Sequence, residues 1–238
     1  MNVAVIFAGG MGSRMTSKTA LPKQFLAIHG TPIIVHTIQH FQEHPEIDRI
    51  AVSIVPEGRE RFARLVSQYE LTKVNWIVEG GSTGQESRHK ALRAVANDAT
   101  GDTVVLLHDG VRPLINADLI TDNIRTVRSL GPAITCTKVN ETVISSEHET
   151  IDEVLPRDFL YLAQAPQSLR LETAINIYDR AVSEGENDSI DTASLLRRYE
   201  HTLYRVDGPR SNIKITTAED YYMCRTFFDL LERNQVGA

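Results

Sequence analysis

The chain has 238 residues, 42% of them hydrophobic, enough to bury one large core without disulfides. Its formal net charge of −6 argues against nucleic-acid binding through a broad basic surface, although local clusters can still hold anions. The two cysteines, Cys136 and Cys224, stand far apart and form no metal-type pair, so they read as ordinary thiols of a reducing compartment.

The apolar start Met1–Ala8 lacks a positive leader and stops at Gly9, so it reads as a buried first strand, Val3–Phe7, and not as a signal peptide. A helix is expected at Ile33–Glu43, with Ile34, Ile38 and Phe41 on one side. There follow a strand at Arg49–Val55, a helix at Arg59–Tyr69 carrying Phe62, Leu65 and Val66, and a strand at Val74–Val78. Next come a helix at Glu86–Asn97, a strand at Thr103–His108, a helix at Ala117–Ser129 and a strand at Ala133–Val139. Such alternation predicts an α/β fold, a mostly parallel sheet with helices on both faces. The rhythm then breaks: strand-like pieces at Thr142–Ser145 and Phe159–Leu162 flank a polar stretch, Ser146–Glu153, which suits either a protruding hairpin arm or a surface loop. Helical patterns resume at Leu171–Ser183 and Asp191–Tyr199, followed by late strands at Leu203–Val206 and Asn212–Ile215 and a closing helix at Thr217–Leu231. No apolar run is long enough to span a bilayer, and a cytoplasmic protein is expected.

The chemistry gathers first after strand one, in Phe7-Ala8-Gly9-Gly10-Met11-Gly12-Ser13-Arg14-Met15. Three glycines there let backbone N–H groups approach phosphate oxygens with no Cβ in the way, although a tight structural turn needs glycine too. The loop is no Walker motif, because no Gly-Lys-Ser/Thr follows, and its glycine spacing is not that of a dinucleotide-binding loop. Arg14 and Lys23, the latter in Leu21-Pro22-Lys23-Gln24-Phe25-Leu26, can both project over a phosphate held there.

Ala8-Gly9-Gly10-x-Gly12-x-Arg14-Met15 followed by Pro22-Lys23-Gln24 resembles the signature of the cytidylyltransferases that activate polyol phosphates, a family that includes the ribitol-5-phosphate and 2-C-methyl-D-erythritol 4-phosphate enzymes. The resemblance implies a Rossmann-like nucleotidyltransferase fold, one domain over residues 1–238, and the reaction of CTP with a polyol phosphate to give a CDP-polyol and pyrophosphate. It extends to Gly80-Gly81 with Glu86-Ser87, where Gly81 and Ser87 fall on nucleotide-contacting positions, and to His108-Asp109-Gly110-Val111-Arg112-Pro113. Asp109, at the end of a strand, suits Mg²⁺ or a substrate hydroxyl, and also suits a turn; Arg112 suits a phosphate. Asn212-Ile213-Lys214-Ile215-Thr216 resembles the family's late strand, whose lysine points at the phosphates.

The broken region resembles the family's dimerisation arm, here at about 140–161, with Thr142 and Arg157 on positions that bind the polyol phosphate across a homodimer. The implied roles are catalytic for Arg14, Lys23 and Lys214; nucleotide binding for Ala8, Gly9, Gly10, Met11, Gly12, Gly81, Ser87 and Asp109; and substrate binding for Arg112, Thr142 and Arg157. Three positions depart from the family pattern. Gly84 replaces an arginine, and Ala165 and Ile190 replace threonines of the methylerythritol-phosphate enzymes. Loss of two hydroxyls bears on the acceptor, because sites built around a hydroxyl contact discriminate strongly. Together with Phe7-Ala8-Gly9-Gly10 and Leu21–Leu26, this leans the reading toward ribitol 5-phosphate, and CDP-ribitol for cell-surface polymers, over methylerythritol phosphate for isoprenoid synthesis. A nucleotide-sugar pyrophosphorylase and an inactive CTP-binding subunit are the rival readings.

Overall fold

The structure, a computed structural model, describes residues 1–8 and 21–236. In chain order its elements are β1 (Asn2–Ala8), a 3₁₀ turn (Lys23–Phe25), β2 (Ala27–Ile28), β3 (Thr31–Pro32), α1 (Ile33–Glu43), β4 (Arg49–Ile54), α2 (Arg59–Gln68), β5 (Val74–Glu79), α3 (Gly84–Ala96), β6 (Val104–Asp109) and α4 (Ala117–Ser129). Then follow β7 (Ala133–Lys138), β8 (Val143–Ser145), β9 (Glu153–Leu155), β10 (Tyr161–Arg170), α5 (Leu171–Ser183), α6 (Thr192–Arg198), β11 (Tyr204–Asp207) and α7 (Ala218–Val236).

Seven strands form one sheet in the order β11-β7-β10-β6-β1-β4-β5. Strand β1 lies parallel to both β4 and β6, β5 continues parallel to β4, and β11 runs parallel to β7. Among the described strands of that sheet only β10 reverses direction, pairing antiparallel with β6 and β7. Side chains alternate across each strand. In β1, Ala4, Ile6 and Ala8 enter the core beneath α1, α2 and α4, while Val3 and Val5 enter the core beneath α3, α5 and α6. Burial on both faces is why β1 reads as a nearly unbroken apolar run. A third cluster, with Ile28, Ile33, Val111 and Ile215, lies under Cys224 and Phe227 of α7.

The helices follow the sequence pattern closely, and their ends are explained by capping. Thr83 accepts from the Glu86 amide, and the Glu86 carboxylate accepts from the Ser82 amide, so α3 begins at Gly84 rather than at Glu86. At α7 the Thr217 hydroxyl accepts from the Asp220 amide, while Asp220 accepts from the Thr217 amide, a reciprocal cap. Two strand expectations are corrected. Asn212–Ile215 pairs with no strand among the described residues; Ile215 is held by its amide donating to Val111 O, and Ile213 and Ile215 pack into the third cluster. The strand expected at Phe159–Leu162 starts at Tyr161 and runs on to Arg170, with a register shift between Ala163 and Gln167 around the cis Ala165–Pro166 bond. The broken region is a hairpin: β8 pairs antiparallel with β9 as a separate two-stranded piece. Among the described residues no helix is long and apolar enough to cross a membrane.

Candidate active site

Because β1, β4, β5 and β6 run parallel, they end on one edge of the sheet, where ligands of open α/β sheets bind. A cleft of about 530 Å³ lies there, lined by Ala8, Lys23, Gly81, Ser87, Asp109 and Lys214 among others. A second lobe of about 180 Å³ is lined by Arg112, Gln164, Ala165, Gln167 and Asp191. Phe7, Arg88, Asp109, Ile190 and Lys214 border both lobes.

Asp109 is the electrostatic centre. It ends β6 with its carboxylate almost wholly buried. Lys214 Nζ donates to Oδ1 at 2.7 Å, and Arg112 Nε donates to Oδ2 at 2.7 Å. Burial pushes this carboxyl up, but the two cations outweigh it and hold the group well below the usual carboxylate range. Asp109 therefore stays ionised and aims both cations. Arg112 is fixed further by donating from Nη1 to Asn212 O at 2.7 Å. The segment that carries Lys214 is thus tied to the end of β6 by side chains, without being a strand.

The loop after β6 is braced from below. His108 is fully buried and its Nε2 bonds Arg112 O at 3.1 Å. His40 and His44, one turn apart at the end of α1, bond Pro113 O and Ala117 O. His108 lies edge-on to Phe41, and burial lowers its pKa to about 4, so the ring is neutral at pH 7.

Lys23 sits in the 3₁₀ turn after Pro22. Its neighbours anchor it: Gln24 is buried and donates to Ala8 O at 2.9 Å, and the buried Phe25 packs on Gly58, whose added Cβ would come within 2.9 Å of the ring. The turn is thereby tied to the end of β1. Ser87 lines the cleft and also pins its rim, accepting from the Gly81 amide at 2.9 Å and donating to Thr83 O at 3.0 Å. The N-terminus of α3, at Thr83 and Gly84, opens onto the cleft and favours anions there.

Of the sequence-predicted residues, the structure brings together Ala8, Lys23, Gly81, Ser87, Asp109, Arg112 and Lys214. Gly9, Gly10, Met11, Gly12 and Arg14 lie outside the described residues. Thr142 and Arg157 stand exposed on the hairpin region and line neither lobe; Arg157 Nη1 donates to Asn140 O. Both Asp109 oxygens are taken by cations, and no cluster of three metal-ligating side chains occurs among the described residues. Sequence reasoning missed Arg88. Its signal was a charge on the buried stripe of α3, where residues 88, 91, 92 and 95 share one face.

The sequence pattern of the family described as IspD, 2-C-methyl-D-erythritol 4-phosphate cytidylyltransferase, matches residues 2–229. The chain is 46% identical over 237 residues to a ribitol-5-phosphate cytidylyltransferase of Streptococcus agalactiae serotype Ia, covering 99% of each chain. It is 34% identical over 225 residues to a 2-C-methyl-D-erythritol 4-phosphate cytidylyltransferase of Clostridium novyi, covering 93% of this chain and 94% of the other. The fold matches the crystal structure of 4-diphosphocytidyl-2C-methyl-D-erythritol synthase from Anaerococcus prevotii with a TM-score of 0.81, at 26% identity and 96% coverage of both chains. A cleft at the carboxyl edge of the sheet, a buried carboxylate aiming two cations into it and a family match along almost the whole chain converge: this chain belongs to the polyol-phosphate cytidylyltransferase family.

Proposed function

We propose that the chain transfers the cytidylyl group of CTP to D-ribitol 5-phosphate, giving CDP-ribitol and pyrophosphate in the cytoplasm. The observation that carries this acceptor is the second lobe, where Ala165 and Ile190 present no hydroxyl, in a chain 46% identical to a ribitol-5-phosphate enzyme and 34% identical to a methylerythritol-phosphate one.

In this reading the acceptor's phosphate oxygen attacks the α-phosphorus of CTP in line, and pyrophosphate leaves. The protein's task is positioning and charge neutralisation. Lys23 and Lys214 face the triphosphate, joined by Arg14 and the backbone N–H groups of residues 9–12. Asp109 holds Lys214 and Arg112 in place, so the acceptor phosphate meets a cation already oriented. Mg²⁺ is proposed to arrive bound to the triphosphate, whose charge it would neutralise; with both Asp109 oxygens engaged, the chain's own steps run through its cations.

The hairpin is proposed to be a dimerisation arm that brings Thr142 and Arg157 to the partner's acceptor lobe. Exposed apolar side chains on and beside it support this, with Val154 61%, Phe159 84% and Leu162 58% exposed.

Product detection by mass spectrometry tests the proposal. Purified protein is incubated with each of the four nucleoside triphosphates and with ribitol 5-phosphate, methylerythritol 4-phosphate or glycerol phosphate. CDP-ribitol from CTP and ribitol 5-phosphate is the expected product; CDP-methylerythritol as the preferred product would overturn the acceptor assignment.

A further inference from the structure

Arg88 is a buried cation that touches no carboxylate among the described residues; Asp191, half-buried in the second lobe, meets its charge only through space. It is 5% exposed, on the first turns of α3. Nε donates to the Tyr178 hydroxyl at 2.8 Å and Nη2 to Ser189 O at 2.9 Å, both neutral oxygens. The guanidinium lies 5.5 Å from the Phe7 ring centroid. It forms no ion pair with any described residue. Desolvating a charge is costly unless an opposite charge comes to meet it.

The remaining edge of the guanidinium is open toward the site. Nη1 has no hydrogen-bond partner among the described residues, and it lies 3.3 Å from where a Cβ on Gly84 would stand. Glycine at position 84 leaves the room that this edge occupies. The Tyr178 hydroxyl is itself held by Thr192 at 2.9 Å, so the guanidinium is oriented from behind. Other polar groups of the second lobe are already committed inside the fold. Gln167 bonds Asp191 and the Ala193 amide, and Gln164 accepts from Asn212. Arg88 borders both lobes, as Lys214 does.

We propose that Arg88 is a substrate-contacting residue of this enzyme, its free Nη1 edge binding a phosphate oxyanion where the nucleotide and acceptor lobes meet. This rests on the cytidylyltransfer reading. The oxyanion belongs to the triphosphate or to the acceptor phosphate, and the two sources are separable by experiment.

The test compares wild type with Arg88→Met, which keeps length and removes charge, and with Arg88→Lys, which keeps the charge but lacks the fork of donors. Calorimetric titrations use CTP, cytidine, pyrophosphate, inorganic phosphate and ribitol 5-phosphate, with kcat and KM measured beside them. Loss of a charge-assisted contact should weaken one phosphate ligand about ten- to hundred-fold in Arg88→Met, and less in Arg88→Lys, with cytidine affinity unchanged. Weakened CTP and pyrophosphate assign the contact to the triphosphate. A raised KM for ribitol 5-phosphate, or weakened inorganic phosphate, with CTP affinity kept, assigns it to the acceptor. Wild-type affinities for every phosphate ligand in the variants, or an equal loss for cytidine, would overturn the proposal and leave Arg88 a brace for Tyr178 and Ser189. Should Arg88→Met not fold, Arg88→Lys decides by the same criteria. Failure of wild type to make CDP-ribitol would strike the acceptor assignment, while the pyrophosphate and phosphate titrations would still judge Arg88.

Discussion

The histidine brace under the site makes stability depend on pH in a calculable way. His108 has its pKa lowered by burial from 6.5 to about 4, with the bond to Arg112 O opposing only in part. His40 and His36 are lowered by burial too, in the same direction. Between these values the unfolded chain binds a proton that the folded chain refuses. Stability is therefore fully present above the unfolded pKa near 6.5 and is lost as pH falls toward 4. For His108 alone, a shift from 6.5 to 4 removes about 2 kcal/mol between pH 7.5 and pH 5, and about 3 kcal/mol in total below pH 4. Depressed carboxyls such as Asp109 and Asp191 act in a lower window, below their unfolded pKa of 3.8, whereas the exposed His29, raised by Glu232 and Asp229, works in the opposite sense within the same window, so the slope is read in a His29→Gln background. Urea unfolding followed by fluorescence of Trp76, the chain's single tryptophan, measures it at each pH. A free energy of unfolding that stays level or rises from pH 7.5 to pH 5 would refute the reasoning.

Three further outcomes are expected. Lys214→Met should lower kcat about 10²- to 10³-fold while the protein stays folded, since in the proposed mechanism it removes a donor aimed at developing charge; turnover near wild type in a steady-state assay would count against that role. Gly208→Ala should cost about 1–3 kcal/mol in urea unfolding and raise the acceptor KM, because the new Cβ would stand 2.5 Å from Thr135 Cγ2 and 2.9 Å from Gln164 Oε1; an unchanged midpoint would contradict the packing. Phe159→Asp, at a side chain 84% exposed, should halve the mass seen by light scattering if the arm pairs two copies, and an unchanged mass would speak against the dimer.

Much of this fold was legible because its elements obey simple periods. Ile34, Ile38 and Phe41 recur at helical spacing and are all buried in α1. The apolar run of β1 reflects helices on both faces of the sheet. Strand β10 was harder to read, since Gln164-Ala165-Pro166-Gln167 carries polar and ring residues where the pairing register shifts. The alternation Asn212–Ile215 misled in the opposite sense: Ile215 is buried and Lys214 exposed as in a strand, yet their partners are α7 and Asp109 instead of a neighbouring strand. At the site, motif context singled out Lys23, Asp109 and Lys214, all of which line the cleft, but the ion pair between Lys214 and Asp109 links distant segments and leaves no local trace. Arg88 was hidden for a related reason, because its meaning depends on Tyr178 and Ser189 from far along the chain.

The antiparallel strand β10 has a consequence for the order of assembly. Strands β5, β4, β1 and β6 come from the first half of the chain and can pair as soon as it is made. Strands β7 and β11 touch that sheet only through β10, so β7, although made earlier, must wait for a strand synthesised after it. Lys214 comes later still, beyond β11, and only then does Asp109 gain its second cation. Long-range pairings of this kind are slow to close. During synthesis a half-sheet therefore emerges with an unpaired β6 edge and with Asp109 held by Arg112 alone, and the cleft is completed only when the segment carrying Lys214 arrives.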